Sequence, residues 1–295
     1  MANINWYPGH MTKAKRMMAE CLPLIDVAIE LVDARIPFSS KNPDIAKMTE
    51  NKPKFIVLNK SDLSDPEQNK KWLEYYKSTG YTAVLFDSKT KNRAAVSDIM
   101  KKITAVFSEK AQRNAEKGMR GRSLKIMVTG IPNVGKSTFI NCLCGKKLVK
   151  AEDRPGVTRG RQWISLGGGI DLLDMPGILW PKLENQNSAK RLAMTGAIKD
   201  NVVDTEALAC DLLAILRAHY EKNFRERYKL TGELPEDDYD LLGLIAKKRG
   251  LILSGGRPDE ERASVMLLDE FRAAKLGRIT LDDIDQLAPI LKNIE

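Results

Sequence analysis

Short apolar runs rich in β-branched residues alternate, along the first two thirds of the chain, with segments of helical spacing. The runs end in polar or glycine-rich loops and predict six strands: VAIELVD, KFIVLNK, TAVLFDS, LKIMVTG, RQWISLG and GIDLLDMPG. Helices are predicted around residues 11–22, 67–78, 93–107 and 136–145. This alternation predicts an α/β fold, with a doubly wound, mostly parallel sheet that binds ligands at the carboxyl ends of its strands.

The strand signal disappears after about Asp204, and three segments beyond it follow a helical period: DTEALACDLLAILRAHY, DLLGLIAKKRG and DEERASVMLLDEFRAAKLG. Four residues are expected on one face of a helix near the end of the chain: Ala263, Leu267, Phe271 and Ala274. Gly277, just beyond them, is a stop signal. We therefore predict an α/β domain, a linker and a smaller all-helical domain, over residues 1–183, 184–205 and 206–295.

The run from Gly130 to Thr138, GIPNVGKST, has the spacing GxxxxGK[ST] directly after a predicted strand and before a predicted helix. In that context backbone N–H groups close around phosphates, the lysine reaches the β- and γ-phosphates, and the following hydroxyl ligates Mg²⁺. The loop therefore predicts a nucleoside triphosphate site with six contacting residues: Asn133, Val134, Gly135, Lys136, Ser137 and Thr138.

A second acidic motif, DMPG, ends the last predicted strand. Its Asp174 is expected to hold Mg²⁺ through water, and the N–H of Gly177 is expected to contact the γ-phosphate. Thr158 lies between the two motifs and is predicted to complete the magnesium shell in the triphosphate state.

The segment LNKSDL supplies a preference for guanine. The Asp62 carboxylate can accept hydrogen bonds from N1–H and the exocyclic amine of guanine, Asn59 can support O6 recognition, and the Lys60 stem can lie over the ring. Adenine offers no such donor pair, so the predicted ligands are GTP and GDP. Ser88 and Lys89 are candidates for a second base-contacting loop, although an ordinary β–α turn explains them nearly as well.

The order of these motifs is unusual, because the guanine-reading element precedes the phosphate loop. Together with WYPGHM at the N-terminus and DARIPFSSKNP from Asp33, this order resembles the circularly permuted GTPases of the YlqF/RbgA type over nearly the whole chain. The resemblance implies an assembly factor for the large ribosomal subunit that binds rRNA in its GTP state. It also implies that GTP hydrolysis gates release from the maturing particle.

Catalysis requires a substitute for the water-positioning glutamine of many switch GTPases, since Ile178 follows Gly177. We expect slow intrinsic hydrolysis and stimulation by the ribosomal subunit. Asn133 resembles the asparagine that related GTPases use to ligate K⁺. His10 corresponds to the histidine that is regarded as the family's catalytic candidate. Contact with RNA phosphate and packing within a loop are the alternative roles for His10. The predicted catalytic set is His10, Lys136, Thr158 and Gly177.

The net charge of +9 indicates an anionic partner larger than a nucleotide. From Arg217 onward the chain has 14 Lys or Arg and 16 Asp or Glu, so the excess of positive charge lies in the first 216 residues. Two basic clusters flank the phosphate loop, Lys110 to Lys125 and Lys146 to Arg161, and together favour RNA over a merely solvated surface.

In the C-terminal region a further basic set lies near aromatic residues that either stack on RNA bases or form a helix-packing stripe: Arg225, Arg227, Lys229, Lys247, Lys248 and Arg249, with Tyr220, Phe224 and Tyr228. Arg35 either contacts RNA or, as the safer interpretation, pairs with Asp33.

Other features limit the functional class. No run of 18 apolar residues and no secretory signal is present, so we expect a cytoplasmic protein with no membrane partner. We expect a monomer, since nothing in the sequence requires a higher oligomer. The cysteine spacing does not suit a zinc site. One alternative function is a GTP-dependent binding switch that acts on a protein or membrane target other than the ribosome. Another is a phosphoryl-transfer kinase, against which the guanine motif argues.

Overall fold

A computed structural model describes residues 4, 8–87, 89, 93–116, 123–146, 148, 162–180, 183 and 185–292. Within these residues, six strands form one sheet in the order β3-β2-β1-β4-β6-β5. The strands are β1 (Val27–Asp33), β2 (Lys54–Asn59), β3 (Thr82–Phe86), β4 (Leu124–Gly130), β5 (Gln162–Gly167) and β6 (Ile170–Asp174). All pairs are parallel except β5 with β6, which are antiparallel and joined by a glycine turn. The predicted α/β, mostly parallel sheet is confirmed.

Helices cover the sheet and continue beyond it. Those of the first half are α1 (Gly9–Cys21), α2 (Pro43–Met48), α3 (Pro66–Ser78), α4 (Arg93–Glu116) and α5 (Lys136–Cys144). Those that follow the sheet are α6 (Gln186–Met194), α7 (Thr205–His219), α8 (Glu221–Tyr228), α9 (Asp238–Lys248), α10 (Glu260–Arg272) and α11 (Ile284–Lys292). Short 3₁₀ turns lie at Leu22–Leu24 and Asp200–Val202. No described helix is both long enough and apolar enough to cross a membrane.

The central strands are apolar because both of their faces are covered. All seven residues of β1 are buried. Successive side chains of a strand point to opposite faces, so Leu31 joins one apolar cluster and Val32 the other. The second cluster also contains Trp72 of α3 together with Leu287 and Leu291 of α11. A helix from the end of the chain thus completes a layer begun by its first third.

The C-terminal helices α7, α9 and α10 pack against one another around leucines such as Leu212, Leu242 and Leu267. The segment predicted as a linker contains α6, which packs on α7 and buries Leu192 and Ala193. Residues 184–205 therefore include an ordered helix between the sheet and the helical bundle.

One sequence expectation is wrong. Ala263, Leu267 and Phe271 are buried on α10 as predicted, but the helix ends at Arg272. Ala274 lies beyond it with φ of 54°, a left-handed conformation that a helix cannot contain, so it does not continue the apolar face. The backbone turns at Ala274, three residues before the predicted stop at Gly277.

Candidate nucleotide-binding site

The phosphate loop joins β4 to α5 in a conformation that its glycines make possible. Gly130 and Gly135 have φ of 148° and 93°. A Cβ at Gly130 would lie 2.5 Å from the backbone oxygen of Leu31, and one at Gly135 would lie 2.5 Å from Nδ2 of Asn59. Val134 is buried, whereas Ser137 and Thr138 are half-buried in the first turn of α5. This chain path leaves the helix N-terminus available for phosphate.

Lys136 is folded back into this loop. Its Nζ donates to the backbone oxygen of Ile131 at 2.8 Å, and only 7% of the residue is exposed. Burial lowers the pKa of Lys136 to about 8, although the charge of Asp174 opposes this. A Cβ at Gly177 would lie 2.8 Å from Nζ, so the glycine brings the strand end against the lysine. Lys136 and Gly177 are therefore brought together as the motifs predict.

Asp174 ends β6, and its carboxylate has no hydrogen-bond partner in the described part of the chain. Both of its oxygens are buried and accept no hydrogen bond from the described residues. Burial raises the pKa of Asp174 to about 6, and Lys136 only partly offsets this effect. This buried carboxylate, whose pKa responds to the charge of Lys136, and the hydroxyl of the adjacent Ser137 are oxygen ligands of the kind that a hydrated Mg²⁺ ion prefers.

The guanine-reading segment lies directly against the phosphate loop. Asn59, at the end of β2, donates from Nδ2 to the backbone oxygen of Val134 at 2.8 Å. Lys60 has φ of 61° and donates from Nζ to the backbone oxygen of Asn133 at 2.6 Å. Thus the permuted chain brings both predicted motifs to one edge of the sheet, because β1 separates β2 from β4 by only one strand.

The predicted base-contacting carboxylate, Asp62, is half-buried and interacts with the side chain of Asp87. Burial and the nearby Asp87 charge together raise the pKa of Asp62. Sequence reasoning missed Asp87, although its place at the end of β3 was a signal. Lys89 is exposed and its backbone N–H donates to Asp87 at 2.8 Å, while Ser88 lies outside the described residues.

Asp33, at the end of β1, is held by two cations. Arg35 binds its carboxylate through Nε and a terminal nitrogen at 2.9 and 2.7 Å, and Lys60 Nζ lies 3.0 Å away. Burial would raise the pKa of Asp33, but these charges outweigh it and hold the pKa well below its ordinary value. The expected structural pair of Arg35 with Asp33 is confirmed. Through Lys60, the pair also fixes the start of the guanine loop.

Asn133 connects the phosphate loop to the helical region. It has φ of 56°, and its Nδ2 donates to the backbone oxygen of Gly196, just after α6, at 2.8 Å. The amide carbonyl is therefore the atom of this side chain suited to a cation.

His10 is exposed in the first turn of α1. Its neighbour Met11 is fully buried, and the Met11 sulfur accepts the backbone N–H of Leu179 at 3.5 Å. This contact brings the start of α1 to the segment that follows Gly177.

Ile178 occupies the place of the water-positioning glutamine, and both of its backbone polar groups form hydrogen bonds. Its N–H donates to the oxygen of Gly130 at 3.2 Å, and its own oxygen accepts from Nδ2 of Asn42 at 3.0 Å. The side chain is buried, so it contributes no polar group to the site. Sequence reasoning did not identify Asn42, which also caps α2.

Several predicted residues lie outside the described part of the chain. These are Thr158 and most of the two basic clusters, including Lys117, Arg120, Arg122 and the stretch from Lys150 to Arg161.

The C-terminal basic set is divided by its contacts. Phe224 and Tyr228 are buried, so these aromatic residues form a packing stripe. Arg227 and Arg249 pair with the buried carboxylate of Glu270. Three members remain as exposed lysines: Lys229, Lys247 and Lys248.

Comparison with known proteins places this site in a family. The sequence profile described as "50S ribosome-binding GTPase" matches residues 125–238, which include the phosphate loop and Asp174 but not Asn59–Asp62. "Ribosome biogenesis GTPase A" of Bacillus cereus is 42% identical over 99% of this chain and 98% of its own length. The chain belongs to the ribosome biogenesis GTPase A family. It is therefore a GTPase.

Relatives extend beyond the bacilli. "Ribosome biogenesis GTPase A" of Thermotoga maritima is 30% identical over 97% of each chain. The crystal structure of GNP-bound YlqF from T. maritima shares the fold with a TM-score of 0.63 and 27% identity, covering 91% of this chain and 97% of that one. Both the α/β region and the helical region of this family member are thus covered.

Proposed function

We propose that this GTPase assists assembly of the large ribosomal subunit, binds the particle in its GTP state and leaves after hydrolysis. What carries the proposal is that the similarity to ribosome biogenesis GTPase A covers 99% of the chain, including the helical region that a bare GTPase domain lacks. The protein acts as a monomer in the cytoplasm. Residues 1–183 hold the nucleotide, and the helices from residue 206 onward contact rRNA and ribosomal proteins.

Nucleotide binding follows from the contacts of the two loops. Asp62 accepts hydrogen bonds from the two guanine N–H donors, and the Lys60 stem covers the ring. Asn59 holds the base-binding segment against the phosphate loop through its hydrogen bond to Val134. When phosphate enters, Lys136 exchanges its backbone acceptor at Ile131 for phosphate oxygens, which stabilises its charged form. The N–H groups of Gly135, Ser137 and Thr138 then face the phosphates.

Ser137, Asp174 and Thr158 are proposed to hold Mg²⁺, which neutralises charge on the β- and γ-phosphates when bound. The unpaired oxygens of Asp174 support this assignment. Asn133 is proposed to contribute its amide oxygen to K⁺, because Nδ2 is already used by Gly196.

The hydrolytic water requires a polar group, which Ile178 does not provide. His10 is the proposed group, since Met11 secures the start of α1 to Leu179. The Gly177 N–H contacts the γ-phosphate. Because His10 is exposed, we propose that the bound ribosomal particle orders it, so hydrolysis is slow for the free protein and stimulated on the particle.

The test is the rate of GTP hydrolysis in potassium and in sodium buffer, with large subunits, with small subunits as the matched control, and with neither. Stimulation by large subunits alone, greater in potassium, is expected. The same rate with either subunit would contradict the proposed partner and favour a GTP-dependent switch for another target. Equal stimulation in both salts would remove the K⁺ assignment of Asn133 while leaving the partner intact.

A further inference from the structure

A cavity of about 690 Å³ lies apart from the nucleotide site and shares no described residue with it. It lies among the loop after β1, the end of α3, the segment after β6, and helices α6 and α11. This volume falls within the range of sites for small organic groups.

The cavity has aromatic walls. Tyr75, Tyr76 and Tyr81 form a contiguous set, with ring centres 5.4 Å apart for the first two and 5.7 Å apart for the last two. Phe38 and Trp180 line it from other segments, and both are half-buried. Half-buried rings of this kind offer faces and edges on which a planar group can stack.

Two lysines make the cavity basic. The Nζ atoms of Lys41 and Lys54 lie 4.9 and 5.4 Å from the centre of the Tyr81 ring. No described residue that lines the cavity is acidic. The ring attracts the ammonium groups without consuming their N–H donors, so they can still bind an anion.

We propose that this cavity binds one unstacked nucleotide of single-stranded RNA, with the base among the aromatic rings and a neighbouring phosphate on Lys41 and Lys54. Aromatic stacking combined with lysine–phosphate contacts is the general chemistry by which proteins hold unpaired nucleotides. The inference deepens the proposed function by assigning a contact to RNA to a cavity whose rings and lysines belong to the α/β domain, and it rests on that function.

The cavity is also connected to the nucleotide site. Trp180 follows Gly177 by three positions, and Asn42, between two lining residues, donates to the backbone oxygen of Ile178 at 3.0 Å. A change in the segment after Gly177 therefore displaces one wall of the cavity. Coupling of this kind is reciprocal, so RNA in the cavity alters GTP affinity by the factor by which GTP alters RNA affinity.

The probe is a short single-stranded RNA carrying 2-aminopurine at one position, whose fluorescence is quenched on stacking. Full-length protein is expected to quench it, and Lys41→Ala/Lys54→Ala is expected to bind roughly tenfold more weakly. The matched control is Lys222→Ala/Lys275→Ala, which removes the same charge from exposed positions on the helical region. Tyr81→Leu tests stacking separately. GDP affinity and the thermal unfolding midpoint of each variant report whether the fold is intact.

Equal loss in the control pair, or no quenching by the wild type, would overturn the inference. Competition by free uridine monophosphate as strong as that by the RNA would also overturn it, because the site would then select a free nucleotide. If the cavity variants lost ribosomal binding but kept RNA binding, the occupant would be a protein segment. Subunit-stimulated hydrolysis, measured on the same proteins, separates these results from failure of the proposed function.

Discussion

Gly135 is the residue at which the guanine loop and the phosphate loop meet. Its φ of 93° suits glycine, and its missing side chain leaves room for Nδ2 of Asn59. Asn59 in turn donates to the oxygen of Val134. The position of Asn59, which we propose supports guanine recognition, therefore depends on the lack of a Cβ at Gly135.

We predict that Gly135→Ala lowers guanine nucleotide affinity by tenfold or more, or about 1.4 kcal/mol, because the new Cβ displaces Asn59. The matched control is Gly145→Ala at the end of the same helix, where φ is 67° and a Cβ would meet nothing within 4 Å. Both variants lose about 1 kcal/mol of stability from left-handed strain. Titration with fluorescent GDP distinguishes them; equal affinities would show that the contact with Asn59 is unimportant.

Glu30 of β1 has a buried carboxyl group and is not one of the candidate nucleotide-binding residues. Burial raises its pKa from 4.5 to about 7, against a hydrogen bond from the Asn42 N–H and the charge of Lys41. The folded protein therefore binds this proton more tightly than the unfolded chain. The resulting stabilisation is present below pH 4.5 and is lost as the pH rises to 7.

Glu30→Gln is predicted to raise the free energy of unfolding at pH 8 by up to roughly 3 kcal/mol, and to change it little at pH 5. Glutamine keeps an acceptor for the Asn42 N–H but carries no charge to bury. Denaturant titrations at the two pH values measure this difference. Exposed Glu50→Gln is the control, and a pH-independent effect of Glu30→Gln would argue against an ionised buried Glu30.

Among the elements, the segment between α10 and α11 has a role beyond connection. Arg278 donates to the backbone oxygens of Ser61 and Ser64 at 2.8 and 2.9 Å, and the Ile279 N–H donates to Leu63 at 3.2 Å. These acceptors lie within and just after the guanine-reading loop. The C-terminal segment therefore braces that loop from the side of the helical region.

Removing this brace with Arg278→Ala should weaken GDP binding roughly three- to tenfold, since two charge-assisted hydrogen bonds to the loop are lost. Arg278→Lys should restore part of the affinity. Arg262→Ala, which removes an exposed arginine that pairs with Asp259 at the start of α10, should have no effect. Calorimetric titration with GDP measures all three, and unchanged binding by Arg278→Ala would exclude the brace.

Sequence reasoning was successful for elements with a long or uninterrupted apolar pattern, such as β1, and for the position of the loop Gly130–Thr138 between a strand and a helix. It missed α2, which has only six residues, because periodicity is not visible over that length. It also missed α11, which contains Pro289. The brace by Arg278 left no local signal, since it depends on a contact 217 positions away.

For the whole molecule, the distribution of charge supports our proposal that nucleotide and ribosomal particle bind at different surfaces. Lys247 and Lys248 are exposed at the end of α9, whereas neighbouring Arg249 pairs with Glu270 at 2.9 Å. Sequence alone grouped the three as RNA contacts. The ion pair shows that Arg249 has a structural partner, so its removal would confuse binding with stability.

Lys247→Glu/Lys248→Glu is predicted to weaken binding to large ribosomal subunits roughly tenfold at low salt, because two phosphate contacts become repulsive. GTP affinity should stay unchanged. Sedimentation with subunits and nucleotide titration measure the two quantities. Arg249→Ala serves as the contrast, and we expect it to lower the thermal unfolding midpoint because it removes the ion pair with Glu270. Equal loss of subunit affinity and GTP affinity in the lysine variant would refute the proposal that the two ligands bind at different surfaces.

The packing of α11 against α3 sets an order of events during translation. Trp72 and the guanine loop emerge from a translating ribosome long before Asp282, whose backbone oxygen accepts the Trp72 indole N–H at 2.9 Å, and before Leu287 and Leu291. Contacts between residues so distant in sequence form late, and the chain exposes apolar surface until they form. We therefore expect a nascent chain to acquire its braced guanine loop only once residues 278–291 have left the exit tunnel, so tight GTP binding follows the emergence of these residues.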